Sequence, residues 1–261
     1  DSREVWIFIV DWIKDFCASK KISSWHILFP SANDSDLLTE LDCHQRTAIQ
    51  FHWFNQDYRD FQDYLSCFVS RKRKNIKKER SRIKEQAIEM EMVTGSEILP
   101  EYWSAFYDFY QMTYVKRSGH GGYLSRDFFL SVLPKMGDQV VMSVAKITSR
   151  PVAAALYFKS SNTLYGRYWG CTAEYDFLHF EACYYQGIEY CITHGLSKFD
   201  PGAQGEHKIQ RGFKPTKTYS NHFIDSREFS NAVKDFTEKE AAHVERYRLQ
   251  ANELLPFHKT S

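Results

Sequence analysis

The sequence predicts a mixed α/β (α+β) fold, with a mostly antiparallel sheet and helices on both faces. Two patterns point to it. Between Gln139 and Gly170, three strand-like runs follow one another across connections too short to hold helices, the signature of hairpins. From Phe177 to Ile224, a helical apolar period gives way to a short strand, a polar turn and a further strand, as in a β-α-β crossover.

Taken in order, residues 4–19 repeat apolar side chains at helical spacing. Residues 22–29 read as a strand ended by Pro30, and Asn33 or Ser35 caps a short helix through Leu41. Residues 46–54 alternate as a strand does. Residues 57–68 form an aromatic amphipathic helix, and the basic segment after it continues helically to about Glu89. Residues 89–93 are a short strand. Pro100 opens helix 100–115, whose Tyr102, Trp103, Phe106, Phe109 and Tyr110 make an apolar stripe. Residues 116–123, KRSGHGGY, hold too many glycines for a helix. Ser125 or Asp127 starts another helix to Met136. The strands 139–148, 151–159 and 163–170 follow, then helix 177–194, stopped by His194 and Gly195. Strand 196–200, a charged turn and strand 216–224 lead to a long charged helix from Ser226.

A chain of 261 residues suits one large domain or two modest ones. No apolar run approaches the roughly 20 residues of a membrane span. The six cysteines, Cys17, Cys43, Cys67, Cys171, Cys183 and Cys191, include no Cys-x-x-Cys pair. They read as free thiols in a reducing, cytoplasmic setting, with no metal site among them. Net charge is only +1, yet residues 71–84, RKRKNIKKERSRIK, are strongly basic. Residues 4–54 run helix, strand, short helix, strand, and residues 177–224 repeat that order. The chain opens inside an apolar-periodic segment, VWIFIVDWIKDF, which reads as the middle of a fold. The expected organisation is therefore a partial first copy at 1–68, a basic connecting helix at 69–88, a complete second copy at 89–225 and a terminal helix at 226–261.

The stretch FDPGAQGEHKIQRGF concentrates chemistry. Acids, a histidine and bases crowd beside glycines just past a strand end, where scaffolds carry functional loops. Glu206 or Asp200 is a candidate base, with His207 as a hydrogen-bonding or orienting group; the alternative is that the three lock the turn to the sheet. Gln204, Lys208 and Arg211 are candidate substrate-binding residues. Lys208 and Arg211 share a face at a spacing of three and either grip a carboxylate or phosphate or pair with Asp200 or Glu206. His179 and Glu181 open a helix; His179 shares a face with Cys183, without a third metal ligand. Along strand 163–170, Arg167 and Trp169 are expected on one face and Tyr168 on the other, so Arg167 faces either a substrate groove or an exposed edge. In the basic helix, Arg71, Arg73, Lys74, Lys77 and Lys78, with Lys72 among them, outnumber local acids and suit bound phosphate; the alternative is a solvated helix face.

The segments HFE, FDPGAQGEHK and GFKP, together with the basic LSCFVSRKRKNIKKERSRI, resemble the FemAB-like N-acyltransferase family, linked to peptidoglycan biosynthesis or recognition. The element order of residues 89–224 is similar to that of the GNAT acyltransferase fold. The resemblance implies tandem GNAT-like domains, the first incomplete. It also implies an N-acyltransferase or aminoacyltransferase forming an amide on an amine acceptor, with a peptidoglycan precursor as one acceptor. Related Fem transferases draw on aminoacyl-tRNA, so aminoacyl-tRNA and acyl-CoA stand as alternative donors. The expected partner is a nucleotide- or lipid-linked, phosphate-bearing precursor; tRNA and peripheral membrane contact stay open. One departure is the turn GCTAEYDFLHFE, where a GNAT enzyme holds pyrophosphate: it carries one glycine and two acids, Glu174 and Asp176. That departure disfavours acyl-CoA bound in the usual way. It also keeps alive a non-catalytic module that recognises a cell-wall precursor or other phosphate-bearing ligand.

Overall fold

The computed structural model describes residues 2–203 and 205–258. It has a mixed α/β fold whose eight strands pair mostly antiparallel. The chain forms two compact units, one of residues 1–50 and 215–254, the other of residues 51–214 and 255–261.

The first unit holds α1 (Ser2–Lys20), β1 (Ser24–Leu28), α2 (Ala32–Glu40), the start of β2 (His44–Phe54), nearly all of β8 (Lys214–Ile224) and α8 (Arg227–Glu253). β1 pairs antiparallel with β8, from Ser24 opposite Ile224 to Leu28 opposite Ser220. Val10, Leu38 and Cys43 are buried together against Trp6, Trp25 and Phe223. Ser31, rather than Asn33 or Ser35, caps α2: its hydroxyl accepts the Asp34 amide at 3.1 Å. Ser35 is instead buried, donating to Asn221 Oδ1 at 2.7 Å.

The second unit begins with the end of β2 and adds α3 (Phe61–Ser66), α4 (Ser70–Glu85), β3 (Glu89–Thr94), α5 (Pro100–Ser118), β4 (Val140–Ile147), β5 (Arg150–Lys159) and β6 (Thr163–Cys171). α6 (Leu178–Phe180), a π-helical turn at Glu181–Tyr185, α7 (Gln186–Thr193) and β7 (Lys198–Asp200) complete it. Here the strand order is β2-β7-β6-β5-β4-β3, antiparallel except for β6 beside β7. α5 lays its predicted aromatic stripe on the sheet, with Phe106 wholly buried among Met142, Val144 and Leu156. Burying such a ring stabilises by about 2 kcal/mol.

The structure departs from the sequence-based expectation in several places. α3 and α4 are separate helices, and residues 256–258 pair with the break between them: Val69 N–H donates to Pro256 O at 2.8 Å and His258 N–H to Cys67 O at 3.0 Å. α5 runs three residues past the expected Val115, and Gly119 ends it in a left-handed conformation at φ 74°. The segment 128–139 is a π turn followed by a 3-10 turn rather than an α-helix. Among the described residues, no helix is long and apolar enough to cross a membrane.

Candidate active site

β6 and β7 run side by side for only three residues, from Thr163 opposite Lys198 to Tyr165 opposite Asp200. Beyond that they part. β6 continues along β5 to Cys171, while the chain after β7 turns away through Pro201 and Gly202. Glycine suits the close approach at the parting point: a Cβ on Gly166 would lie 3.2 Å from the Pro201 Cα, a tight contact that the backbone there would have to relieve. A cavity of about 490 Å³ opens there, walled by β5, β6, the end of α5, the α6–π turn and the turn that follows β7.

A β-bulge shapes one wall. The β5–β6 register slips so that Leu156 faces Tyr168 and Tyr157 faces Gly166, leaving Arg167 unpaired. The expected alternation is therefore broken, and Arg167, Tyr168 and Trp169 all line the cavity. Arg167 stacks 4.5 Å above the Tyr168 ring and approaches the Tyr123 hydroxyl at 3.4 Å.

The 3-10 turn Glu206–Arg211 supplies the opposite wall with His207 and Lys208. Gly205, at φ 111°, seats the His207 ring; a Cβ there would lie 2.2 Å from its Cε1. His207 Nε2 is 2.8 Å from the Tyr184 hydroxyl, which reaches His179 Nε2 at 3.4 Å, and His179 Nδ1 stands 3.4 Å from Cys183 Sγ. Burial, reinforced by His207, Arg117, Arg211 and Lys208, lowers His179 to a pKa of about 4. Partial burial and the Arg211 and Lys208 charges also lower His207. Both imidazoles are thus held neutral at pH 7. Burial likewise pushes the Cys183 thiol up, away from the thiolate form. Lys208 is 1% exposed, donates to Gly202 O at 2.6 Å, and is pushed down by burial to a pKa of about 8.

The sequence matches the profile of a family described as peptidoglycan biosynthesis/recognition over residues 1–259. The chain belongs to the FemAB-like family. No curated protein sequence matches it. Among solved structures, FemX is similar at 12% identity and TM-score 0.58, over 90% of this chain and 80% of that one. L-PGS from Bacillus licheniformis is similar at 13% identity and TM-score 0.55, over 85% and 76%. A protein of unknown function from Bacteroides thetaiotaomicron gives 11% and 0.57, over 82% and 73%. At such identities the likeness is one of fold.

In this FemAB-like chain, the cavity gathers His179, Arg167, His207 and Lys208 from among the residues singled out by sequence. Other candidates lie off it. Asp200 faces His52 at 3.3 Å and accepts the Gly202 amide at 3.0 Å. Burial raises its carboxyl, but His52, that amide and Lys198 outweigh burial and hold it below the ordinary carboxylate range. Glu206 is exposed at the start of the 3-10 turn and is not among the lining residues. Glu181, 3% exposed, is bound by Arg80 at 2.9 Å and by Gln186. Arg211 pairs with Glu79 of α4 at 2.9 Å, stacks 3.5 Å over Phe180 and donates to the His207 carbonyl. Gln204 lies outside the described residues.

On α4, Arg71, Arg73, Lys74, Lys77 and Lys78 form no ion pair with described residues, while Lys72 bonds Gln210. The acids of the turn before α6 are neutralised, Glu174 by Lys116 and Asp176 by Arg82. Sequence reasoning misses Arg117 and Tyr184. Arg117 belongs to a segment whose glycines suggest a loop, yet it falls one turn after Thr113 and Tyr114 on the face of α5 that meets the cavity. Tyr184 has the pattern of a core aromatic; its place one residue beyond a His179–Cys183 pair is the available signal.

Proposed function

We propose that this cavity transfers an acyl or aminoacyl group onto an amine, forming an amide, with a phosphate-bearing cell-wall precursor as the acceptor class. The observation that carries the reading is a pair of neutral imidazoles and a buried lysine placed where β6 and β7 part. The sequence family supports the acceptor class.

The attacking amine forms a bond to the carbonyl carbon of an ester or thioester donor, and the carbonyl electron pair moves to oxygen. With its Nε2–H donated to Tyr184, His207 offers the Nδ1 lone pair and takes the proton that the amine sheds. Tyr184 in turn donates to His179, which fixes the tautomers along the series. Lys208, still largely protonated at pH 7, is the charged group suited to the tetrahedral oxyanion. Collapse breaks the carbonyl bond to oxygen or sulfur, and the leaving group recovers the proton from His207. Asp200 and Glu206, the bases expected from sequence, have no part in this scheme.

The test is single-turnover transfer from a panel of aminoacyl-tRNAs and acyl-CoAs to nucleotide- and lipid-linked precursors. His207→Asn is expected to lower the rate by about 10²-fold or more with acceptor affinity retained. If wild type consumes no donor while still binding precursor, the protein is a recognition module and the transferase reading is wrong.

A further inference from the structure

The charge of the cavity wall is one-sided. Among its described lining residues are Arg117, Arg167 and Lys208, and no aspartate or glutamate. The two histidines that share the wall, His179 and His207, supply no negative charge in either protonation state. Arg117 forms no ion pair with a described residue and sits exposed at the end of α5. Arg167 is preorganised by stacking on Tyr168 and by its approach to the Tyr123 hydroxyl. The remaining surface is largely aromatic, including Tyr114 and Trp169.

We infer that the cavity selects a ligand that presents an oxyanion, carboxylate or phosphate, to Arg117 and Arg167, and that it rejects ligands carrying a fixed cation. Guanidinium groups match both oxyanions through paired N–H donors. A cation entering the same space meets three positive side chains and, among the described lining residues, no carboxylate. The same field suits a cavity without a carboxylate base to an amine: an ammonium next to Arg117, Arg167 and Lys208 releases one proton to solvent before attack, and the free amine sheds its second proton to His207 as the bond forms. The inference deepens the transferase reading, but its test needs no turnover.

Trp169 lines the cavity and reports occupancy. Titrate the whole chain with glutarate, with inorganic pyrophosphate and with pentamethonium, a bis-quaternary ammonium whose charge is fixed, at low and high salt, following tryptophan fluorescence, with Trp169→Phe to identify the signal and calorimetry to measure affinity. Glutarate or pyrophosphate is expected to bind saturably and more weakly at high salt, the better of the two naming the oxyanion, while pentamethonium does not bind. Arg117→Ala and Arg167→Ala, with native circular dichroism, should each weaken anion binding about tenfold. Pentamethonium binding as well as the anions, neither anion binding, or both variants binding like wild type would overturn the proposal. Transfer activity failing while anions bind would instead count against the transferase reading alone.

Discussion

His179 makes the cavity acid-sensitive in a way that can be measured. Its imidazole packs against Trp169 and Tyr184, and the charges that face it, Arg117, Arg211, Lys208 and a protonated His207, all oppose a second positive charge. Its pKa falls from 6.5 to about 4 on folding. The depressed value means that the unfolded chain takes up the proton first. Stability is therefore fully present above pH 6.5 and is lost as pH falls through the window from 6.5 to about 4. A tenfold difference in proton affinity between the folded and unfolded chain corresponds to about 1.4 kcal/mol, so the loss is about 1.4 kcal/mol at pH 5.5 and about 3 kcal/mol at pH 4. Carboxylates also respond over this range, so the quantity to measure is the difference between wild type and His179→Gln, whose side chain never charges. Urea unfolding of both at pH 7, 5.5 and 4 gives that difference directly. The variant should gain on wild type by about 3 kcal/mol between pH 7 and 4. A difference that stays constant with pH would show that His179 does not titrate out of the folded state, and the description of a desolvated, cation-faced imidazole would be wrong.

Two further outcomes follow from the geometry. Glu79→Ala leaves the buried Arg211 without its carboxylate and should destabilise by about 3 kcal/mol in urea unfolding, whereas Glu79→Gln, which keeps an acceptor, should cost less; equal small effects for both would mean that the pair does not hold the His207 turn in place. Lys74→Ala, Lys77→Ala and Lys78→Ala combined should change stability by under about 1.5 kcal/mol, yet reduce the salt slope of binding to a short RNA by about three units; an unchanged slope would remove α4 from phosphate contact.

Much of this protein can be read from one-dimensional pattern. The hairpins β4, β5 and β6 are legible because their turns are short and their apolar runs long, and α5 because five aromatic residues recur at helical spacing. FDPGAQGEHK is legible as a site because glycines and charges at a strand end suit neither a core nor a regular element. Those signals are local, and the sequence contains them completely.

Only the tertiary structure decided which residues meet. β8 follows β7 in the chain but pairs with β1, and β2 follows β1 but pairs with β7, a strand exchange that no propensity encodes. One slipped residue in the β5–β6 register turned Arg167 and its neighbours into the same cavity. Glu206 and His207 are adjacent in sequence, yet backbone direction sent only His207 to the cavity wall. The ion pairs divided in the same manner: Arg211 found Glu79 from a distant helix, and Asp200 found His52. Spacing along a chain fixes periodicity and turn chemistry, but partner choice depends on long-range packing, where burial sets which charges must be paired and which stay available to a ligand.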